Sequence, residues 1–181
     1  ISQPTEYGTL YSLQELEELS AVCRERDLKL FVDGARLAYA LASPANDVTL
    51  ADLARLTDVF YIGGTKCGSL FGEAVVIPER GSIRQFVTQM KQHGALLAKG
   101  RLLGVQFEAL FEDGLYLTIG EPAVQATARI REALKRAGYV VTMDSPTNLT
   151  FVALDQAGHE RLSDKVRYSI WETLPDGRYL A

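Results

Sequence analysis

The sequence predicts an α/β fold from three observations. Short apolar runs without internal alternation, Leu28 to Val32, Asp58 to Ile62 and Glu73 to Ile77, read as strands of a sheet covered on both faces. Amphipathic stretches with helix-capping signatures separate the first two of them. After Pro78 the pattern changes to helical periodicity and then to a mixed tail, which points to a small α+β unit behind the α/β one.

The elements follow in order. Ser12 and Glu15 form an S-x-x-E capping box, Leu13, Leu16 and Leu19 recur on one face, and acidic residues crowd the first turn, so a helix is expected from Leu13 to about Arg26. The strand Leu28 to Val32 ends at Asp33, and Gly34 breaks it. Thr49 and Asp52 open a second capped helix through Leu56, the strand Asp58 to Ile62 is closed by Gly63 and Gly64, and Glu73 to Ile77 makes a third strand before Pro78. Ile83, Phe86, Val87 and Met90 mark one helix, and a longer helical region after Gly94 carries Leu96, Leu103, Phe107, Leu110 and Phe111. Its Gly100 and Gly104 are spaced as G-x-x-x-G, but the flanking Lys99, Arg101 and Glu108 exclude a membrane dimer motif and favour close packing of soluble helices. Gly120 reads as a hinge between a larger unit, 1–119, and a smaller one, 120–181. The smaller unit opens with a helix that has Pro122 in its first turn and Gly138 past its end. Strands Tyr139 to Met143 and Leu149 to Leu154, a helix Glu160 to Val166 and a strand Tyr168 to Leu174 complete it.

Composition narrows the function. With 181 residues, 47% hydrophobic and 23% charged, the chain can bury one sizeable core or two modest ones. Its 19 basic and 23 acidic residues give a net charge of -4, and no Lys/Arg stripe appears. A nucleic-acid or anionic-membrane surface is therefore not expected, and a small uncharged or zwitterionic ligand fits better. Cys23 and Cys67 lie far apart, which argues against a disulfide framework or metal knuckle and for a reducing, cytoplasmic compartment. Two histidines, His93 and His159, leave few zinc ligands, so no metal is expected, and both read as surface residues or helix caps. No apolar run reaches the length of a membrane span, and no basic-then-apolar leader opens the chain. The chain starts at Ile1 without an initiator methionine and stops at Ala181 inside what reads as a hairpin, so it reads as a piece of a longer protein.

Two fragments carry the chemistry. In L-K-L-F-V-D-G-A-R, an apolar run ends in Asp33, with Arg36 three residues on; in D-V-F-Y-I-G-G-T-K-C-G, another run and two glycines deliver Lys66. Ligand-binding groups of α/β sheets gather beyond the carboxyl ends of strands, and Asp33 and Lys66 each follow one. Spacing alone leaves two readings open: a shared crevice, or an aspartate-glycine turn and a solvated lysine. The residue types suit pyridoxal phosphate, which requires a carboxylate to keep its pyridinium nitrogen protonated and an amine to bond its carbonyl carbon.

F-V-D-G-A-R-L-A-Y-A-L followed by D-V-F-Y-I-G-G-T-K-C-G-S-L-F-G-E-A-V-V-I resembles the low-specificity threonine aldolases, in the fold-type I family of pyridoxal-phosphate enzymes. The opening I-S-Q-P-T-E-Y-G-T-L-Y-S-L-Q-E-L-E-E-L-S, the stretch G-A-L-L-A-K-G-R-L-L-G-V-Q-F-E-A-L-F-E-D-G-L-Y and S-P-T-N-L-T-F-V-A-L extend the likeness over nearly the whole chain. The resemblance implies part of a large cofactor-binding domain at 1–119 and an incomplete small domain at 120–181. It implies that Lys66 is the Schiff-base lysine, Asp33 the partner of the ring nitrogen, and Arg36 a donor to the cofactor's phenolic oxygen or its surroundings, with a structural ion pair as the other reading of Arg36. Thr65 is a candidate phosphate contact. The amine of Lys66 should be buried, since burial favours its neutral, nucleophilic form. The turn Gln3 to Glu6 lies where related enzymes place cofactor-side contacts, but it reads first as a plain turn, and Cys67 reads as a small packing residue.

The reaction the resemblance implies is retro-aldol cleavage of a β-hydroxy-α-amino acid, L-threonine or L-allo-threonine, to glycine and acetaldehyde, by a homo-oligomer. A β-eliminating lyase acting on another amino acid would use the same aspartate and lysine. A reading of a different class is a chain that is no catalyst by itself. The resembled family places its phosphate-binding loop and ring-stacking imidazole upstream of anything in this sequence, and its substrate-carboxylate arginine beyond Ala181. On that ground the 181 residues alone are expected to be inactive and to hold pyridoxal phosphate weakly.

Overall fold

In the computed structural model, which describes residues 1–181, helix α1 (Leu13–Glu25) begins where its sequence dictates. The Ser12 hydroxyl accepts from the Glu15 amide at 3.3 Å while the Glu15 carboxylate accepts from the Ser12 amide at 2.8 Å, a complete capping box. Strand β1 (Phe31–Val32) follows, then a short helix α2 (Leu37–Leu41), helix α3 (Leu50–Leu56), strand β2 (Val59–Gly63) and strand β3 (Glu73–Val76). Thr49 and Asp52 cap α3 in the same reciprocal way. Helix α2 has no side-chain cap and five residues, so nothing in its sequence announces it; burial of Leu37, Ala38 and Ala40 holds it.

The three strands form one sheet in the order β1-β2-β3, with β1 parallel and β3 antiparallel to β2. Strand β1 is shorter than the apolar run suggests because a side chain replaces its ladder: the Asp58 carboxylate accepts from the Leu30 amide at 2.8 Å and the Lys29 ammonium at 3.2 Å, while Leu28 stays exposed. Leu16, Leu37, Leu53 and Leu56 pack onto Val32, Phe60 and Ile62, and this is the main core. The expectation of a sheet covered on both faces holds for one face only. Helices α1, α2 and α3 all return to the Val32–Phe60–Ile62 side, and on the other side Phe31 is 48% and Val75 59% exposed.

Beyond Pro78 come α4 (Phe86–Gln92), α5 (Arg101–Phe111), a 3-10 turn (Glu112–Gly114), α6 (Leu115–Thr118) and α7 (Glu121–Arg136). A Cβ at Gly104 would meet nothing within 4 Å, and one at Gly100 only Leu97 of the preceding turn, so the pair mediates no close helix approach. Gly120 lies at a contact point: a Cβ there would lie 2.5 Å from the Ala38 carbonyl oxygen, where the start of α7 meets α2.

The second sheet comprises β4 (Val140–Val141), β5 (Val152–Leu154), β6 (Glu172–Thr173) and β7 (Tyr179–Leu180), with α8 (Gln156–Ser163) after β5. Its order is β4-β5-β7-β6, antiparallel throughout. Helix α8 starts a turn earlier than its apolar pattern indicates because Asp155 accepts from the Gly158 amide at 2.6 Å and caps it there. The two sheets are bolted together away from Gly120. The Gly8 carbonyl accepts from the Ser145 and Thr147 hydroxyls at 3.2 and 3.1 Å, and the Ser43 hydroxyl donates to the Pro146 carbonyl at 2.9 Å.

Candidate active site

Strands β1 and β2 are parallel, so the residues that follow them emerge at the same end of the sheet. Two glycines then allow the turns to meet backbone to backbone. A Cβ at Gly34 would fall 1.9 Å from the Tyr61 carbonyl oxygen, and one at Gly63 would fall 2.5 Å from those of Gly34 and Ala35. The Gly63 amide donates to the Gly34 carbonyl at 3.0 Å. The D-G-A-R and G-G-T-K turns are thereby brought together, and with them Asp33 and Lys66.

Asp33 is held on three sides. Its amide donates to the Ile1 carbonyl at 2.8 Å, its carbonyl accepts from the Gln3 amide at 2.9 Å, and its Oδ1 accepts from the Ala35 amide at 2.9 Å. Burial, and then the Asp33 carboxylate beside it, push the Tyr61 phenol well above its ordinary value.

Lys66 stands on a loop whose backbone is trussed. The Tyr39 hydroxyl donates to the Lys66 carbonyl, the Tyr116 hydroxyl to the Gly63 carbonyl at 2.7 Å, and the Cys67 thiol to the same carbonyl at 3.0 Å. The Glu73 carboxylate accepts from the Gly64 amide at 2.7 Å, and the Gln106 side chain from the Leu70 amide at 2.7 Å. The Lys66 side chain itself is exposed and joins no ion pair. The expected burial of that amine is therefore not met in this chain.

Thr65 is exposed, and its hydroxyl makes a long 3.4 Å contact to the Gly72 carbonyl. Arg36 precedes α2, is half-buried and makes no ion pair within this chain; its charge acts on the phenols of Tyr61 and Tyr39. Gln3 is buried, and its side-chain amide both donates to the Tyr11 carbonyl at 3.0 Å and accepts from the Tyr11 amide at 2.9 Å, so its turn is structural. Cys67 is buried among the core residues, and burial raises its thiol pKa, as suits packing rather than nucleophilic attack. His93 is exposed at the end of α4, and His159 pairs with the Tyr168 hydroxyl at 2.7 Å. A cavity of about 700 Å³ belongs to the second unit, between α7, α8 and β5, and none of the four candidate residues lines it.

Sequence reasoning missed Tyr61, Tyr39, Tyr116 and Glu73. A signal existed for Tyr61: if Val32 aligns with Phe60 in a parallel pair, Asp33 falls beside Tyr61. For the others, which reach the loop from α2, α6 and β3, no short-range signal exists.

A fixed carboxylate and a free primary amine, carried on adjoining turns at one sheet end, are groups that can pair with a protonated ring nitrogen and bond to a carbonyl carbon. The donor set fits pyridoxal phosphate. Comparison with known proteins agrees with it. The profile of the beta-eliminating lyase family matches residues 1–157. The chain is 39% identical over 121 residues to the low specificity L-threonine aldolase of Pseudomonas sp. (strain NCIMB 10558), covering 65% of this chain and 34% of that protein. It is 32% identical over 167 residues to the low specificity L-threonine aldolase of Pseudomonas aeruginosa, covering 90% of this chain and 47% of that one. The solved structure of Leishmania major threonine aldolase superposes with a TM-score of 0.93 at 45% identity, over 99% of this chain and 53% of that chain. A Thermus thermophilus aspartate aminotransferase shares the fold alone, with a TM-score of 0.65 at 16% identity, over 91% of this chain and 46% of its own. The chain thus spans between about a third and about half the length of these relatives.

Proposed function

Because the chain belongs to the beta-eliminating lyase family, we propose that it forms the cofactor-holding part of a pyridoxal-phosphate-dependent lyase that cleaves β-hydroxy-α-amino acids, L-threonine or L-allo-threonine, to glycine and acetaldehyde. The observation that carries this reading is the backbone-to-backbone junction of the Asp33 and Lys66 turns at one end of a parallel strand pair.

Bound pyridoxal phosphate supplies the electron sink into which the Cα–Cβ bond of the substrate breaks. Asp33 keeps a proton on the ring nitrogen through a charge-assisted hydrogen bond, its position set by the Ala35 amide. Lys66 provides the amine that anchors the cofactor, and the trussed loop fixes where that amine originates while leaving its long side chain free to swing. Arg36, with no carboxylate partner of its own, is available to the cofactor's phenolic oxygen, and Thr65 to its phosphate.

We assign residues 1–119 to the cofactor-binding unit and 120–181 to the small domain, a division supported by the two separate sheets. A homo-oligomer is part of the same reading: Val87, Leu96, Leu97 and Leu102 are each more than half exposed, and a second copy would cover them. Free Cys23 and Cys67 suit a cytoplasmic setting, and no helix is long and apolar enough to cross a membrane. The deciding experiment assays the full-length protein with pyridoxal phosphate on L-threonine and L-allo-threonine. Glycine and acetaldehyde are expected; pyruvate and ammonia from another amino acid would make it a β-eliminating lyase instead.

A further inference from the structure

We propose that Tyr61 is a positioning residue that fixes the Asp33 carboxylate for the ring nitrogen of the cofactor, an inference that rests on the reading of Asp33 given above. Phe31 aligns with Val59 and Val32 with Phe60, so the parallel register carries Asp33 beside Tyr61. Alternate residues of a strand share a face, which places Phe31, Asp33 and Tyr61 together on the face not covered by α1 to α3. The Tyr61 ring is set from both sides. Phe31 packs against it with ring centroids 6.0 Å apart, and Val75 is its register partner on β3. The Gly34 turn presses directly on the Tyr61 carbonyl, so the backbone of one residue cannot move without the other.

A phenylalanine would satisfy that packing, and the hydroxyl is what needs a role. The Ala35 amide occupies one oxygen of the Asp33 carboxylate at 2.9 Å. A single donor leaves a carboxylate free to rotate about its broad terminal torsion, whereas a second donor from a different strand fixes its plane. Tyr61 is placed to be that donor. Burial and the neighbouring carboxylate raise its phenol pKa, so it keeps its proton and remains a donor through the neutral and alkaline range. Glu73 acts in the same direction, and Arg36 against it. A carboxylate oriented by a surrounding shell forms its bond to the cofactor without losing rotational freedom at that moment.

The first test needs no cofactor. In the full-length protein labelled with meta-fluorotyrosine, the Tyr61 fluorine resonance, identified by its loss in Tyr61→Phe, should move in Asp33→Asn; an unmoved resonance overturns the proposal. The second test is a double-mutant cycle on pyridoxal phosphate affinity and threonine turnover. Tyr61→Phe should weaken cofactor binding and lower kcat by about five- to tenfold each, with KM nearly unchanged. In the Asp33→Asn background the same substitution should do nothing further. An equal loss in both backgrounds means that Tyr61 acts on something other than Asp33 and overturns the proposal. Should Asp33→Asn shift the fluorine resonance yet leave cofactor binding and turnover intact, the cofactor reading of Asp33 falls, and Tyr61's role toward the cofactor with it. Tyr61→Phe keeps the ring and its packing; if it nonetheless fails to fold, meta-fluorotyrosine incorporated at position 61 alone identifies the resonance, and its shift in Asp33→Asn decides.

Discussion

From Gly63 to Glu73 the backbone is tied at almost every step, by hydroxyls from α2 and α6, a carboxylate from β3, a thiol within the loop and an amide from α5. The stretch that follows is built the other way. Helix α4 buries no residue, and Val87, Leu96, Leu97 and Leu102 face outward. Both regions carry a legible apolar pattern, but only the first spends it inside this chain. The difference separates two kinds of segment: the lysine loop is positioned by its own fold, whereas the α4–α5 surface leaves its apolar side chains uncovered in this chain. Perturbing the first should change chemistry, and perturbing the second should not.

The sharpest contrast is expected at Lys66. In the full-length protein with pyridoxal phosphate, borohydride reduction should leave the cofactor covalently fixed on the Lys66 peptide, as mass spectrometry would show. Lys66→Ala should abolish that adduct and lower turnover by about a thousandfold or more. Lys91→Ala on α4 should leave both unchanged. An adduct on another lysine would sink the assignment.

Asp33→Asn comes next. It keeps the shape of the turn but removes the charge that holds a proton on the ring nitrogen, so turnover should fall by about a hundredfold or more while borohydride still fixes the cofactor on Lys66. Turnover within a few-fold of the unmodified protein would mean that Asp33 serves only its turn.

These two residues stand out in the sequence because each follows an apolar run and lies within two residues of a glycine that the fold needs. The capping boxes of α1 and α3 were legible for a similar reason: both partners lie within one turn of sequence. What could not be read was set by distant partners. The 28–30 segment is taken out of the ladder by Asp58, and α2 exists because of what covers it. The Lys66 loop owes its order to Tyr39, Tyr116 and Gln106, each far away in sequence. Gly104 and Gly120 show the same limit in opposite directions. Spacing suggested close packing for the first and a hinge for the second, and the structure leaves the first open and packs the second against Ala38.

Glycine substitutions turn that contrast into a stability measurement. Gly34→Ala would drive a methyl group to 1.9 Å from the Tyr61 carbonyl oxygen, a backbone atom held in β2 that cannot swing aside as the end of a side chain could. A loss of about 3 kcal/mol or more in urea unfolding is expected, with cofactor affinity falling as the turns separate. Gly104→Ala meets nothing and lies inside α5, so it should stabilise by up to about 1 kcal/mol through helix propensity. Equal effects at the two positions would contradict the packing described here.

The smallest effect expected is a response to acid that divides the two regions. Asp58 is held below the usual carboxylate range by the hydrogen bond from the Leu30 amide and by Lys29, and Glu15 and Asp52 are held low by their capping serine and threonine. A carboxyl group whose pKa is lower folded than unfolded contributes stability that is complete above its unfolded pKa, about 4, and lost as pH falls through the folded value. These groups are largely solvated, so each contribution should be small. Helices α4 and α5 have neither a side-chain cap nor an acidic residue in the first turn. Amide hydrogen exchange, corrected for its intrinsic pH dependence, should therefore show protection in α1, α3 and the start of β1 flat from neutral pH to about 5 and falling below about 4, while α4 and α5 change little. Asp58→Asn should remove the acid response at Leu30 and leave that of α1 and α3 in place. A loss of protection in α4 and α5 of the same size as in α1 would show that the carboxylate caps are not what distinguishes the two regions in acid.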